Sequence, residues 1–147
     1  MNYGRLVVAA VAATLTDAVY GFLVYGMALQ SEFGRYPYIY RPNDAPPMYL
    51  ATMFLGILVA MLALTYIYAK GYEGGSGVAE GARFGIVVAI FAAAFFSAVS
   101  YGTLNIGRKL AVFMACAGLV EWTINGIVIG LVYKGAPRSG RAAPPAV

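Results

Sequence analysis

Four stretches of this chain are long and apolar enough to cross a lipid bilayer, and that limits its fold more than any other feature. They run 6–29, 48–69, 84–106 and 110–133, the second and third free of charge and the others holding one acid each. A helix spans the hydrocarbon layer with about 20 apolar residues. Within lipid the backbone must satisfy its own hydrogen bonds, and helices do so inside a single segment. The expectation is an all-α integral membrane protein, with four transmembrane helices at about 5–30, 48–69, 82–104 and 108–133 in an up-down bundle. Residues 1–134 form one transmembrane domain, and 135–147 a flexible, basic Pro/Ala-rich tail. Composition agrees, since 61% hydrophobic and 11% charged residues leave little polar surface for a soluble domain.

The first run has the basic start and apolar core of a signal peptide. Apolar character resumes at Ala18 and continues through Leu29, where a cleaved leader would give way to polar sequence. An uncleaved helix is the better reading.

Asp17 and Glu121 stand near the centres of the first and last runs. Asp17 lies 12 residues after Arg5, and Glu121 lies 12 after Lys109 and 13 before Lys134. At about 1.5 Å per residue each carboxyl is roughly 18 Å from the nearest flanking charge, close to mid-bilayer. Acids at that depth are costly and turn toward protein or water. In an up-down bundle the first and last helices are commonly neighbours, so the two acids are expected in one polar cluster. Thr14 and Tyr20 lie beside Asp17 on its helix, and Asn125 lies one turn from Glu121, which makes these three the expected hydrogen-bond partners.

Rows of mostly small or polar residues recur at four-residue spacing. Ala9, Ala13, Asp17 and Gly21, then Tyr25, form one row, Gly85, Ala89, Ala93, Ser97 and Tyr101 a second, and Gly118, Trp122, Gly126 and Gly130 a third. Such rows let helix backbones approach closely, so Gly21, Gly85, Ser97, Gly118, Gly126 and Gly130 are expected at packing contacts. The match of Asp17-Ala-Val-Tyr-Gly with Ser97-Ala-Val-Ser-Tyr-Gly hints at a two-plus-two duplication in which Ser97 corresponds to Asp17. Between the first two runs, 30–47 carries Pro37, Pro42, Pro46 and Pro47 with Phe33, Tyr36, Tyr38 and Tyr40. Prolines at that density exclude a continuous helix. The rings suit an interfacial belt or a docking loop for a partner, with Tyr36, Tyr38 and Tyr40 as the contacting residues. Gly74-Gly75-Ser76-Gly77 lacks the Gly-Lys-Ser/Thr ending of a phosphate loop and reads as a flexible turn.

Several functions are excluded. The chain has no histidine and one cysteine, Cys116, so it lacks the commonest general base, the usual haem ligand and any CxxC site. No metal-ligand cluster or nucleophile pair can be assembled, and neither enzyme activity nor a cofactor is expected. The net charge of +4 comes from residues at run ends and in the tail rather than a basic stripe, so nucleic acid is not a partner. Arg5, Lys70, Arg83, Lys134, Arg138 and Arg141 fall on one side of the membrane and Arg35, Arg41, Arg108 and Lys109 on the other. That balance places both termini in the cytoplasm of a plasma (inner) membrane.

The pattern, with Gly81-Ala82-Arg83-Phe84-Gly85 opening the third helix and Glu121-Trp122 inside the last, resembles small four-helix bacterial membrane proteins. That resemblance brings no activity with it. Two functions remain. The first is an accessory or structural subunit of a larger membrane complex, in contact with partner subunits or with further copies of itself. The alternative is a small proton- or cation-coupled transporter or channel that uses Asp17 and Glu121.

Overall fold

The computed structural model describes residues 1–42 and 44–134, and the expected tail, with Arg138 and Arg141, lies outside them. The described residues form helices and connecting turns, with no strand among them. Four helices are long and apolar enough to cross a membrane: α1 (Tyr3–Ala28), α2 (Pro47–Gly71), α3 (Gly77–Thr103) and α4 (Arg108–Val132). A single helical turn, Gln30–Phe33, follows α1.

Local chemistry sets the ends. Asn2 caps α1 by accepting the Arg5 N–H at 3.1 Å, satisfying a donor that a helix start leaves free. Pro47 opens α2 at a position where a missing N–H costs nothing. α3 begins at Gly77, five residues earlier than the sequence suggests. Glu80 in its first turn accepts the Gly75 N–H at 2.7 Å and fixes the chain ahead of the helix. The expected flexible turn is therefore short and tethered.

In space the helices follow the order α2, α1, α4, α3, so the first and last helices are neighbours at the centre. Two kinds of small residue build the contacts. Ala9, Ala10 and Ala13 of α1 are fully buried, with Leu6, against Met61 and Tyr68 of α2 and Ile129 and Tyr133 of α4. On the opposite face of α4 the contact is backbone on backbone. A Cβ at Gly77 or Gly81 would strike the carbonyl of Gly130 or Gly126, and one at Gly85 would lie 2.7 Å from Trp122 O. Three glycines of α3 thus lie on a row of α4 containing Gly126 and Gly130, and only glycine permits that separation.

The packing is uneven along the molecule's length. Near the short α2–α3 connector, Tyr68, Tyr72, Phe84 and Tyr133 meet edge to face or tilted, with ring centroids 5.4–6.1 Å apart. Tyr68 also donates to Glu80 at 3.3 Å. Toward the other end α1 loses its close neighbours. Beyond Asp17 it buries no residue, its π-helical stretch Phe22–Ala28 included, and α2 buries none before Met61. A second π-helical stretch, Ala93–Ser97, interrupts α3. The two stretches fall after Asp17 and before Ala98, at different places in the suggested repeat.

Candidate functional site

Because α1 and α2 part beyond Asp17, a cavity of about 1120 Å³ opens between them. Its walls come from α1, α2 and the 30–42 segment, with Glu121 of α4 lining it beside Asp17 of α1. Asp17 and Glu121 are otherwise buried, each 8% exposed.

Each acid has one hydrogen-bond partner, supplied by the opposite helix. Asn125 Nδ2 of α4 donates to Asp17 Oδ1 at 2.8 Å. Tyr25 of α1 donates its O–H to Glu121 Oε2 at 2.9 Å. These crossed bonds correct three expectations. Asn125 serves Asp17 rather than Glu121, because its row on α4 faces α1. Thr14 turns back on its own helix and donates to Ala10 O at 2.8 Å, as hydroxyls within helices commonly do. Tyr20 reaches past Asp17 and donates to Ala117 O at 2.9 Å, joining α1 to α4. The cluster is therefore Asp17, Glu121, Asn125 and Tyr25. Tyr25 was visible in the sequence as the next member of the Ala9–Gly21 row, two turns beyond Asp17 and facing the same way.

The Asp17–Asn125 pair suits proton exchange. In one orientation the amide nitrogen donates to a carboxylate. With the amide turned over, its oxygen would accept from a protonated Asp17 in the same heavy-atom positions. Asn125 Oδ1 is buried and has no hydrogen-bond partner among the described residues, so the amide is not locked in one orientation by a second bond.

The rest of the lining is mostly apolar and aromatic, with Phe22, Phe33, Phe54, Met53 and Ile57 beside Tyr25 and Tyr40, and Arg41 as the cation. Arg41 lies over the Tyr49 ring, 3.5 Å from its centroid. The 30–42 segment is held in place rather than loose. Glu32 pairs with Lys109 at 2.5 Å and with Arg35 at 3.6 Å. Tyr36 Oη accepts the Gly107 N–H at 2.8 Å, and Tyr40 donates to Met114 Sδ at 3.7 Å. Phe33, Tyr36, Ile39 and Tyr40 pack on Ile106, Leu110 and Ala111. Of the three tyrosines expected to contact a partner, Tyr36 and Tyr40 are thus occupied within the chain, and only Tyr38 is fully exposed. The hydrogen bond from Lys109, followed by the charges of Arg35 and Lys109, holds the Glu32 carboxyl below the usual range despite some desolvation. Burial, and then Tyr36 nearby, pushes the Tyr40 phenol up.

The six expected packing residues divide. Gly85, Gly126 and Gly130 lie in the α3–α4 contact, while Gly21 lines the cavity. Gly118 has only the Trp122 ring nearby, where a Cβ would sit at 3.9 Å. Ser97 is buried at the end of the π-helical stretch of α3. Neither Gly21 nor Gly118 is a point of close helix approach, because at these two positions of their rows a Cβ would meet only a side chain, of Tyr25 and of Trp122. Among the described residues no group of three or more acids or cysteines could hold a metal ion.

No family model matches the chain, nor does any curated protein or solved structure.

Proposed function

We propose that this is an integral membrane protein whose four helices cross the bilayer in alternating directions and carry protons, or another cation coupled to them, by way of Asp17 and Glu121. The observation that supports this reading is the shared cavity: both mid-helix acids line one space between α1 and α2. A subunit that used its acids only for docking would turn them outward to a partner. Here each is bonded across the α1–α4 contact and still borders open space. Intramembrane hydrogen bonds are worth only about 0.6 kcal/mol on average, so packing alone is a weak reason to bury two carboxyls around one cavity.

In this reading Asp17 and Glu121 are the sites of charge exchange, and Tyr25 and Asn125 are positioning residues that hold the carboxyls. Both termini lie in the cytoplasm, with the 30–42 segment on the opposite face of a plasma (inner) membrane, following the bias of Lys and Arg. Reconstitution tests the proposal. The purified protein in liposomes with a trapped pH dye should dissipate an imposed pH gradient, and Asp17→Asn or Glu121→Gln should abolish that flux. Flux that is absent, or unchanged by both substitutions, refutes the reading.

A further inference from the structure

The cavity is far larger than a proton, a hydronium or a bare metal ion requires. A water molecule occupies about 30 Å³ of liquid, whereas this space measures about 1120 Å³, just above the range typical of small-molecule sites, about 300–1,000 Å³. Its chemistry is also divided. Asp17 and Glu121 supply negative charge at mid-helix depth, and the walls nearer the 30–42 segment carry Phe22, Tyr25, Phe33, Tyr40 and Phe54. Aromatic faces attract cations as well as apolar bodies. The flank between α1 and α2 is open, since the lining residues Phe22, Leu50 and Met53 are 66%, 55% and 49% exposed. In a membrane that flank faces the acyl chains, where an apolar solute partitions.

From these observations we infer that the cavity takes an amphiphilic organic cation, a quaternary ammonium or phosphonium with an aromatic or alkyl body. The charged centre sits against Asp17 and Glu121 and the body lies along the aromatic wall. This rests on the proton- or cation-handling reading of the same acids and names the solute that exchanges with protons there. A neutral apolar molecule would leave two buried carboxyls unpaired, and an anion would be repelled by them. Arg41 lies over the Tyr49 ring and offers a rim charge rather than a deep one. Charge exchange follows directly, because a proton and an organic cation compete for the same carboxylates.

Tetraphenylphosphonium and tetraphenylborate, nearly the same in shape and opposite in charge, separate the possibilities. The full chain in neutral detergent is dialysed against each, with protein-free micelles as the blank. The phosphonium is expected to bind saturably and the borate not at all. Asp17→Asn and Glu121→Gln should each weaken phosphonium binding by about tenfold or more, as loss of one partner of a buried charge contact does. Circular dichroism checks that both variants keep their helix content. A titration of the unmodified protein removes any dependence on variant folding: phosphonium binding should fall as pH is lowered and the carboxyls take up protons.

Equal binding of phosphonium and borate overturns the inference, as does a flat pH profile. Proton flux without phosphonium binding overturns the inference and leaves the proton-handling reading standing. Absence of both flux and binding removes the two together.

Discussion

Replacing Gly126 with alanine isolates the contact that joins α3 to α4. A Cβ there would sit 2.5 Å from Gly81 O and 2.6 Å from Gly85 N, and would also strike Gly85 Cα. All three are backbone atoms of another helix, so no side-chain rotation relieves the overlap and the helices must move apart. Overpacking of this kind costs about 1–3 kcal/mol, and three backbone clashes place Gly126→Ala toward the upper end. Alanine recovers roughly 1 kcal/mol through its better helix propensity, leaving a net loss of about 2 kcal/mol. The control is Gly118→Ala, two turns earlier on the same row. There the new methyl would meet only Trp122 Cδ1, at 3.9 Å, so propensity dominates and stability should rise by about 0.5–1 kcal/mol. The two variants should therefore differ by roughly 2.5–3 kcal/mol, on the order of 100-fold in the unfolding equilibrium. Equilibrium unfolding in mixed micelles, followed by far-ultraviolet circular dichroism, measures this. Equal stability for the two variants would show that the glycine row of α4 is not a backbone contact.

Two further substitutions probe the polar interior and the loop. Asn125→Ala leaves Asp17 without its donor and should cost about 1–3 kcal/mol in the same unfolding assay; no loss would mean that the pair is not formed. At the loop, the Glu32 carboxyl is held below its ordinary range, so its stabilising effect is complete above the unfolded value of about 4.3 and is lost as pH falls through the folded one. Amide exchange across 32–40 should accordingly accelerate in acid, and Lys109→Met should flatten that dependence. An unaltered acid response in the Lys109 variant would count against the Glu32–Lys109 pair as the fastening.

The four long helices were legible in the sequence because apolar runs of 22 to 24 residues admit few other structures. The neighbourhood of Asp17 and Glu121 was legible too, from their matched depth on the first and last helices. Their partners were not. Reasoning from spacing along one helix offers Thr14 to Asp17 and Asn125 to Glu121. The rotation of α1 against α4 instead gives Asn125 to Asp17 and Tyr25 to Glu121, and that rotation is fixed by contacts far along the chain. Proline density identified 30–47 as a break between helices, yet gave no sign that Tyr36 and Tyr40 would be spent on the start of α4. That docking depends on Gly107 offering an unbonded N–H ahead of α4, and on the surface that Ile106 and Leu110 present there.

The aromatic cluster near the connector bears on the proposed transport. Tyr68, Tyr72, Phe84 and Tyr133 close the end away from the cavity, fastened by the bond from Tyr68 to Glu80. None of the four rings lines the cavity, so in the proposed transport a solute at Asp17 and Glu121 meets this packed cluster between itself and the connector end. Net passage from one compartment to the other then requires a second conformation, in which those rings separate while the α1–α2 gap closes. The buried alanines of α1 give that motion a smooth surface, because methyl groups interlock far less than long side chains do.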